Sequence, residues 1–328
     1  MLDALQNAFF QTGDMLISRL SAFSSFLWGW PLLILLLGTH LYLTVILRFP
    51  QRYLLKALKL YFVKDHTDKG DISPFSSLMV ALAANIGAGN IIGVGVAIAA
   101  GGPGAIFWCW LTGVLGMATR YSEGLLAIKY RVENKDGNMS GGPMFVLERG
   151  MKCKWLGVLF AVFTAIAAFG IGNLTQGNAA AEQLYHAFSI PAWGTATVLT
   201  ALTALVMLGG IRGIARVCAF FVPVMAVLYI LGCMYILIVQ ADYILPAIRY
   251  ILDCAFTGEA AAGGVVGAAV MTAMRTGVAR GLFSNEAGLG SAAIASAAAQ
   301  NRNPVRQALI SSSGPFWDTC LLYTSDAA

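Results

Sequence analysis

Long apolar runs alternating with short basic segments set the plan of this chain. Eight stretches are apolar enough, at about 20 residues or more, to read as membrane spans: 27–47, 74–100, 105–130, 155–188, 191–208, 217–239, 260–299 and a last one opening at Pro304. Two of the eight are interrupted. Ala81 to Gly104 carries Asn85 and Asn90 among glycines, and Phe283 to Ser291 carries Asn285 and Glu286 beside Gly288 and Gly290. Each interior glycine costs a helix about 1 kcal/mol relative to alanine. In hydrocarbon, any N–H or C=O freed by unwinding must find its partner inside the protein. Both stretches are therefore predicted to open partway across and to line a cavity with main chain. For either stretch alone, close helix packing of the Gly89 and Gly93 kind is the structural alternative. Two such stretches in corresponding parts of one chain mark the binding site of a secondary transporter.

The segments between the spans give the topology. Residues 1–26 are mixed, with Asp3, Asp14 and Arg19, and lack the basic start and cleavage site of a signal peptide, so they are expected to form an interfacial segment. Residues 27–48 form a clean span with Trp28, Trp30 and Arg48 as interface anchors. Arg48 to Asp71 reads as a helix on the membrane surface, Lys129 to Lys154 as a loop around Gly141-Gly142-Pro143, and Gln240 to Glu259 as a mixed loop with a surface helix. With the amino end outside, the four inner segments carry 6, 6, 2 and 2 basic residues, 16 in all, against Arg19 and Arg249 on the outer side. That asymmetry is the positive-inside pattern and fits eight spans.

Composition narrows the class. With 58% hydrophobic and 11% charged residues and a mean hydropathy of +0.72, the chain is an all-α polytopic membrane protein, since soluble domains carry about a quarter charged residues. The net charge of +5 is then a matter of loop orientation, with no nucleic-acid partner implied. Six scattered cysteines without a Cys-x-x-Cys pair read as small buried apolar residues. Nothing forms a catalytic constellation: His40, His66 and His186 are far apart, and there is neither a Gly-x-Ser-x-Gly nor a Walker lysine.

Polar groups at membrane depth are the remaining candidates. Asn173, Thr175, Gln176 and Asn178 recur within two turns of the 155–188 span, where amides need partners. Arg120 and Glu123, three apart on one helix, read as a structural ion pair. Glu286 is open between pairing with an arginine such as Arg280 and facing a substrate amine, and Arg275 and Arg280 are candidates for an inner gate. Lone His40 reads as a packing residue.

Gly101-Gly102-Pro103-Gly104-Ala105-Ile106-Phe107-Trp108-Cys109-Trp110-Leu111-Thr112-Gly113-Val114-Leu115-Gly116 resembles the signature of the alanine or glycine:cation symporter family, the sodium:alanine symporters, with Cys109 where the family usually has Met. Asn85 to Asn90, Gly141 to Met144, Asn173 to Asn178 and Gly281 to Ser291 also resemble family segments. The resemblance implies an inverted five-helix-repeat symporter fold of the amino acid-polyamine-organocation type. Its parts would be an extra transmembrane helix at 27–48, a first repeat at 74–240, and the start of a second, incomplete repeat at 260–328. About three more spans are then expected after residue 328, and the residues from Cys320 onward are expected not to be native.

The resemblance further implies Na⁺ as the coupling ion and alanine or glycine as cargo across the cytoplasmic membrane. Such a zwitterion needs N–H donors for its carboxylate and acceptors for its ammonium. Gly87, Gly89 and Asn90 are the choice for the carboxylate side, with Asn85, Gln176, Asn178, Ser284, Asn285, Gly288 and Gly290 completing the pocket, and with Na⁺ on unwound backbone near Ala84 and Gly87. A passive channel for small solutes is the alternative class. Proton coupling is a variant that the lack of a lone carboxylate at the broken centre speaks against.

Overall fold

The computed structural model describes the backbone of residues 2–61, 70–85, 87–257 and 266–322. Within it the chain is almost wholly helical. Helix α1 (Leu2–Leu27) leads through Trp28 and Gly29 into α2 (Trp30–Ile46), where Pro31 occupies the first turn, a position at which the missing N–H has no helical partner to lose. Residues 2–26 are thus helical. A 3₁₀ turn (Pro50–Tyr53) and the short α3 (Leu54–Leu60) follow; Lys64 and Lys69, counted with the surface helix, lie outside the described residues.

Next come α4 (Pro74–Asn85), α5 (Ala88–Gly101) and the long α6 (Gly104–Lys129). The Lys129–Lys154 loop forms a hairpin of β1 (Val132–Glu133) and β2 (Met139–Ser140), then α7 (Pro143–Phe145) running into a π-helical turn (Val146–Gly150). Helices α8 (Lys154–Ala167) and α9 (Thr175–Phe188) are joined by a π-helical stretch (Ala168–Leu174) into one rod. Then follow α10 (Ala192–Leu208), α11 (Gly210–Val239) and α12 (Ala241–Thr257), the last a helix within the stretch read as a mixed loop; Glu259 lies outside the described residues. The chain closes with α13 (Val266–Asn285), α14 (Ser291–Ala297), α15 (Pro304–Ser312) and a π-helical stretch (Phe316–Leu322).

Among the described residues, three helical rods are long and apolar enough to cross a bilayer on their own: Gly13–Ile46, Lys154–Phe188 and Gly210–Val239. Their large side chains face outward, with Phe169, Leu174 and Tyr235 among the most exposed, the inverse of a soluble protein and the pattern expected where lipid is the solvent. Of the remaining helices, Ala192–Leu208 is apolar but shorter, and α4 and α5 are short because their span is broken.

Helix α6 is the centre of that packing. Fourteen of its residues are buried, from Gly104 and Ala105 through Arg120 to Ile128, and α13, α14, α15 and α2 lie against it. Small residues set the spacing. A Cβ on Gly277 of α13 would stand 2.2 Å from the Ala105 carbonyl oxygen, so the two backbones touch, the close approach by which membrane helices gain van der Waals contact.

The ends of α4 and α14 remote from the breaks are tied together. Ile72 and Ala299 form a parallel bridge. The Asp71 and Ile72 N–H groups donate to Ala298 O at 2.8 and 3.2 Å, and Gln300 N–H donates to Ile72 O at 2.7 Å. From the end of α6, the Arg131 guanidinium donates to the carbonyls of Ala297 (3.0 Å), Ala299 (2.7 Å) and Asn301 (3.0 Å). A cation on the last carbonyls of a helix meets both their unpaired lone pairs and the negative end of the helix dipole. The Asp71 carboxylate in turn accepts the Met139 N–H of the hairpin at 2.8 Å.

Candidate substrate site at two broken helices

Both glycine-rich stretches are interrupted where the sequence predicts. In the first, α4 ends at Asn85 and α5 begins at Ala88. Gly87 between them is extended (φ −164°, ψ −172°), a conformation any residue adopts, so its lack of a side chain matters through space. A Cβ there would lie 3.3 Å from Gln176 Oε1 and 3.6 Å from Nε2. The amide of α9 therefore looks directly at the unwound main chain, and the extended residue leaves the first N–H groups of α5 without helical partners.

In the second stretch, α13 ends at Asn285 and α14 begins at Ser291. Glu286 (φ 52°), Gly288 (φ 102°) and Gly290 (φ 76°) all sit in left-handed conformations, which only glycine adopts without strain. Glu286 is held there by Ser291 Oγ, which donates to its carboxylate at 2.6 Å.

The breaks touch. The Asn85 side chain is 3% exposed, and with its amide nitrogen turned to the surrounding carbonyls it donates to Ala81 O and to Ser284 O, each at 3.2 Å. One amide thus closes the end of α4 and binds the end of α13. Ser284 and Asn285 are buried beneath it. Ser284 Oγ donates to the Asp318 carboxylate, Asn285 Nδ2 to Thr319 Oγ1 at 3.4 Å, and Asn285 Oδ1 accepts the Ala287 N–H at 2.9 Å.

Of the residues singled out in the sequence, Asn85, Gly87, Gln176, Ser284 and Asn285 come together at these two contacts. Gly89 and Asn90 fall in the first turn of α5, with the Asn90 side chain, like that of Ala84, outside the described residues. Asn178 is exposed, as are Asn173 and Thr175, so only Gln176 of that cluster turns inward. Gly288 and Gly290 face away from the first break. The Gly288 N–H donates to Glu123 Oε1 on α6 at 2.9 Å, while Cβ atoms on these glycines would meet Leu36 of α2 and Pro143 of α7.

Two carboxylates emerge as site residues that the sequence reading left aside. Asp318 is fully buried against Ser284 and Thr319; its signal was an acid inside an apolar segment, which at membrane depth marks function by default. Glu123, 3.9 Å from Arg120 as the ion-pair reading expects, reaches past its helix to the second break. Arg275 and Arg280 are engaged elsewhere: Arg275 donates to Ser25 O at 3.0 Å, and Arg280 lies over the Phe283 ring.

A cavity of about 400 Å³ is lined by Tyr61, Phe75, Met79, Leu82, Val222 and Trp317 among others. Its walls are apolar, so it suits hydrocarbon and not a zwitterion.

Apolar rods around a small-residue core, with two helices broken against one another, define an integral membrane transporter. The sequence profile of the sodium:alanine symporter family matches residues 13–328, and the chain belongs to that family, which makes it an amino-acid symporter in class. An uncharacterized transporter of Haemophilus influenzae is 54% identical over 309 residues, covering 94% of this chain and 68% of its own length. The sodium/alanine symporter AgcS of Methanococcus maripaludis is 50% identical over 315 residues, covering 94% and 69%. The amino-acid carrier protein AlsT of Bacillus subtilis is 36% identical over 305 residues, covering 93% and 64%. The chain thus spans about two thirds of the length of these relatives.

Proposed function

We propose that this chain carries small neutral amino acids, alanine or glycine, into the cell together with Na⁺ by alternating access. The observation that carries this reading is the meeting of the two breaks, with Asn85 on the Ser284 carbonyl and Gly87 facing Gln176. The N–H groups of the first turn of α5, at Gly87, Gly89 and Asn90, receive the substrate carboxylate at the positive end of the helix. Gln176 supplies an amide oxygen for the ammonium, with Ser284 and Asn285 behind it. Na⁺ rides on the carbonyls freed near Ala84 and Gly87. The small residues around the breaks favour a small side chain on the cargo.

In this reading residues 74–240 and 260–328 belong to inverted repeats and the amino end lies outside, as the basic inner segments support. The similarity to AgcS, named a sodium/alanine symporter, supports both the ion and the cargo. The test is uptake of labelled alanine into proteoliposomes holding the purified chain. An inward Na⁺ gradient drives accumulation, and removing it returns uptake to background. Uptake indifferent to Na⁺ defeats the reading, and single-channel currents with fluxes far above about 10³ per second replace it with a channel.

A further inference from the structure

The symporter reading, on which this inference rests, offers a substrate carboxylate two sets of main-chain N–H groups, one at each break. The second set is already taken by the protein. Glu123 Oε1 accepts the Gly288 N–H at 2.9 Å. Its other oxygen, Oε2, is buried with no hydrogen-bond partner among the described residues and lies 3.9 Å from Arg120 Nη1. Only 15% of the side chain is exposed. The loop has little freedom to turn elsewhere, because Leu36 stands 3.1 Å from where a Gly288 Cβ would be and Pro143 stands 2.3 Å from the same point on Gly290.

We propose that Glu123 is a positioning residue that acts as a resident anion for the second break. It stands where an incoming carboxylate would stand, so the cargo's carboxylate has a single place to go, at the first break. It also fixes the loop that follows Asn285, which keeps the Ser284 carbonyl on Asn85. The cargo then binds in one orientation, and the broken α13–α14 element is held open whether or not cargo is present.

Chemical rescue separates this role from ordinary packing. Glu123→Ala deletes a group the size of acetate and leaves the Gly288 N–H facing the space. In proteoliposomes the variant is expected to lose about tenfold or more of Na⁺-driven alanine uptake, the loss of one charge-assisted bond or more. Tens of millimolar acetate restores several-fold of that loss, where chloride at equal ionic strength does not. Glu123→Leu, which fills the space, is not restored. Glu123→Gln, whose amide oxygen still accepts the N–H, keeps an intermediate rate. Uptake by Glu123→Ala equal to that of the parent, or acetate acting equally on the Ala and Leu variants, overturns the proposal. Should the parent itself show no Na⁺-dependent uptake, the symporter reading fails, and the inference is read from thermal unfolding instead. There acetate raises the melting temperature of Glu123→Ala alone, and an equal or absent shift in all variants sinks it.

Discussion

Arg131 is the most testable joint in the molecule. Its guanidinium holds the carbonyls of Ala297, Ala299 and Asn301 at 2.7–3.0 Å, and those residues also carry the Ile72 bridge that ties the lead into α4 to the tail of α14. Arg131→Met keeps the apolar stem and deletes the fork. A hydrogen bond to a charged group contributes about 1.5–3 kcal/mol. Arg131 is half-buried and water can reach part of the gap, so the low end applies, and three bonds sum to about 4.5 kcal/mol. The expected loss is therefore about 3–5 kcal/mol, with Arg131→Lys intermediate because a point charge replaces a planar fork. Thermal unfolding of the detergent-purified protein reads the total. Amide hydrogen exchange reads the place: Ile72, Ala299 and Gln300 lose protection by about 10²-fold or more while the interior of α6 does not. Unchanged melting together with unchanged exchange at the seam would refute the reasoning, because the three bonds would then have no share in holding the two broken helices together.

Two further outcomes follow from the packing and the site. Gly277→Ala pushes a methyl to 2.2 Å from Ala105 O, so α13 must move off α6 at a cost of about 1–3 kcal/mol. The control Gly232→Ala meets nothing within 4 Å and gains about 1 kcal/mol of helix propensity; equal melting temperatures for the two variants would contradict backbone contact between α6 and α13. Gln176→Ala, which strips the amide from beside Gly87, is expected to weaken alanine binding about tenfold, one hydrogen bond to a charged group. A dissociation constant matching the parent's would remove Gln176 from the pocket.

The amino-acid order alone was enough for the membrane class, the apolar rods, the basic segments between them and the two places where helices stop. The reason is local: hydropathy over about 20 residues and the helix cost of glycine are properties of consecutive residues. The same logic read α12 from its mixed loop and the Arg120 and Glu123 pair from a spacing of three. It overreached where facing had to be known. Asn173, Thr175, Gln176 and Asn178 crowd one stretch of helix, and the sequence could not tell which of them turns inward; the fold turns Gln176 toward Gly87 and leaves Asn178 exposed.

Partnership across long separations belonged to the tertiary structure alone. Asn85 meets Ser284, Glu123 meets Gly288 and Arg131 meets the end of α14, in each case across more than a hundred residues. A hydrogen bond depends on the position and direction of two groups in space, and these are set only when α4, α6, α13 and α14 have packed. The residues that break a helix are written in the chain, whereas the carboxylate that fills the break is chosen by what lies beside it.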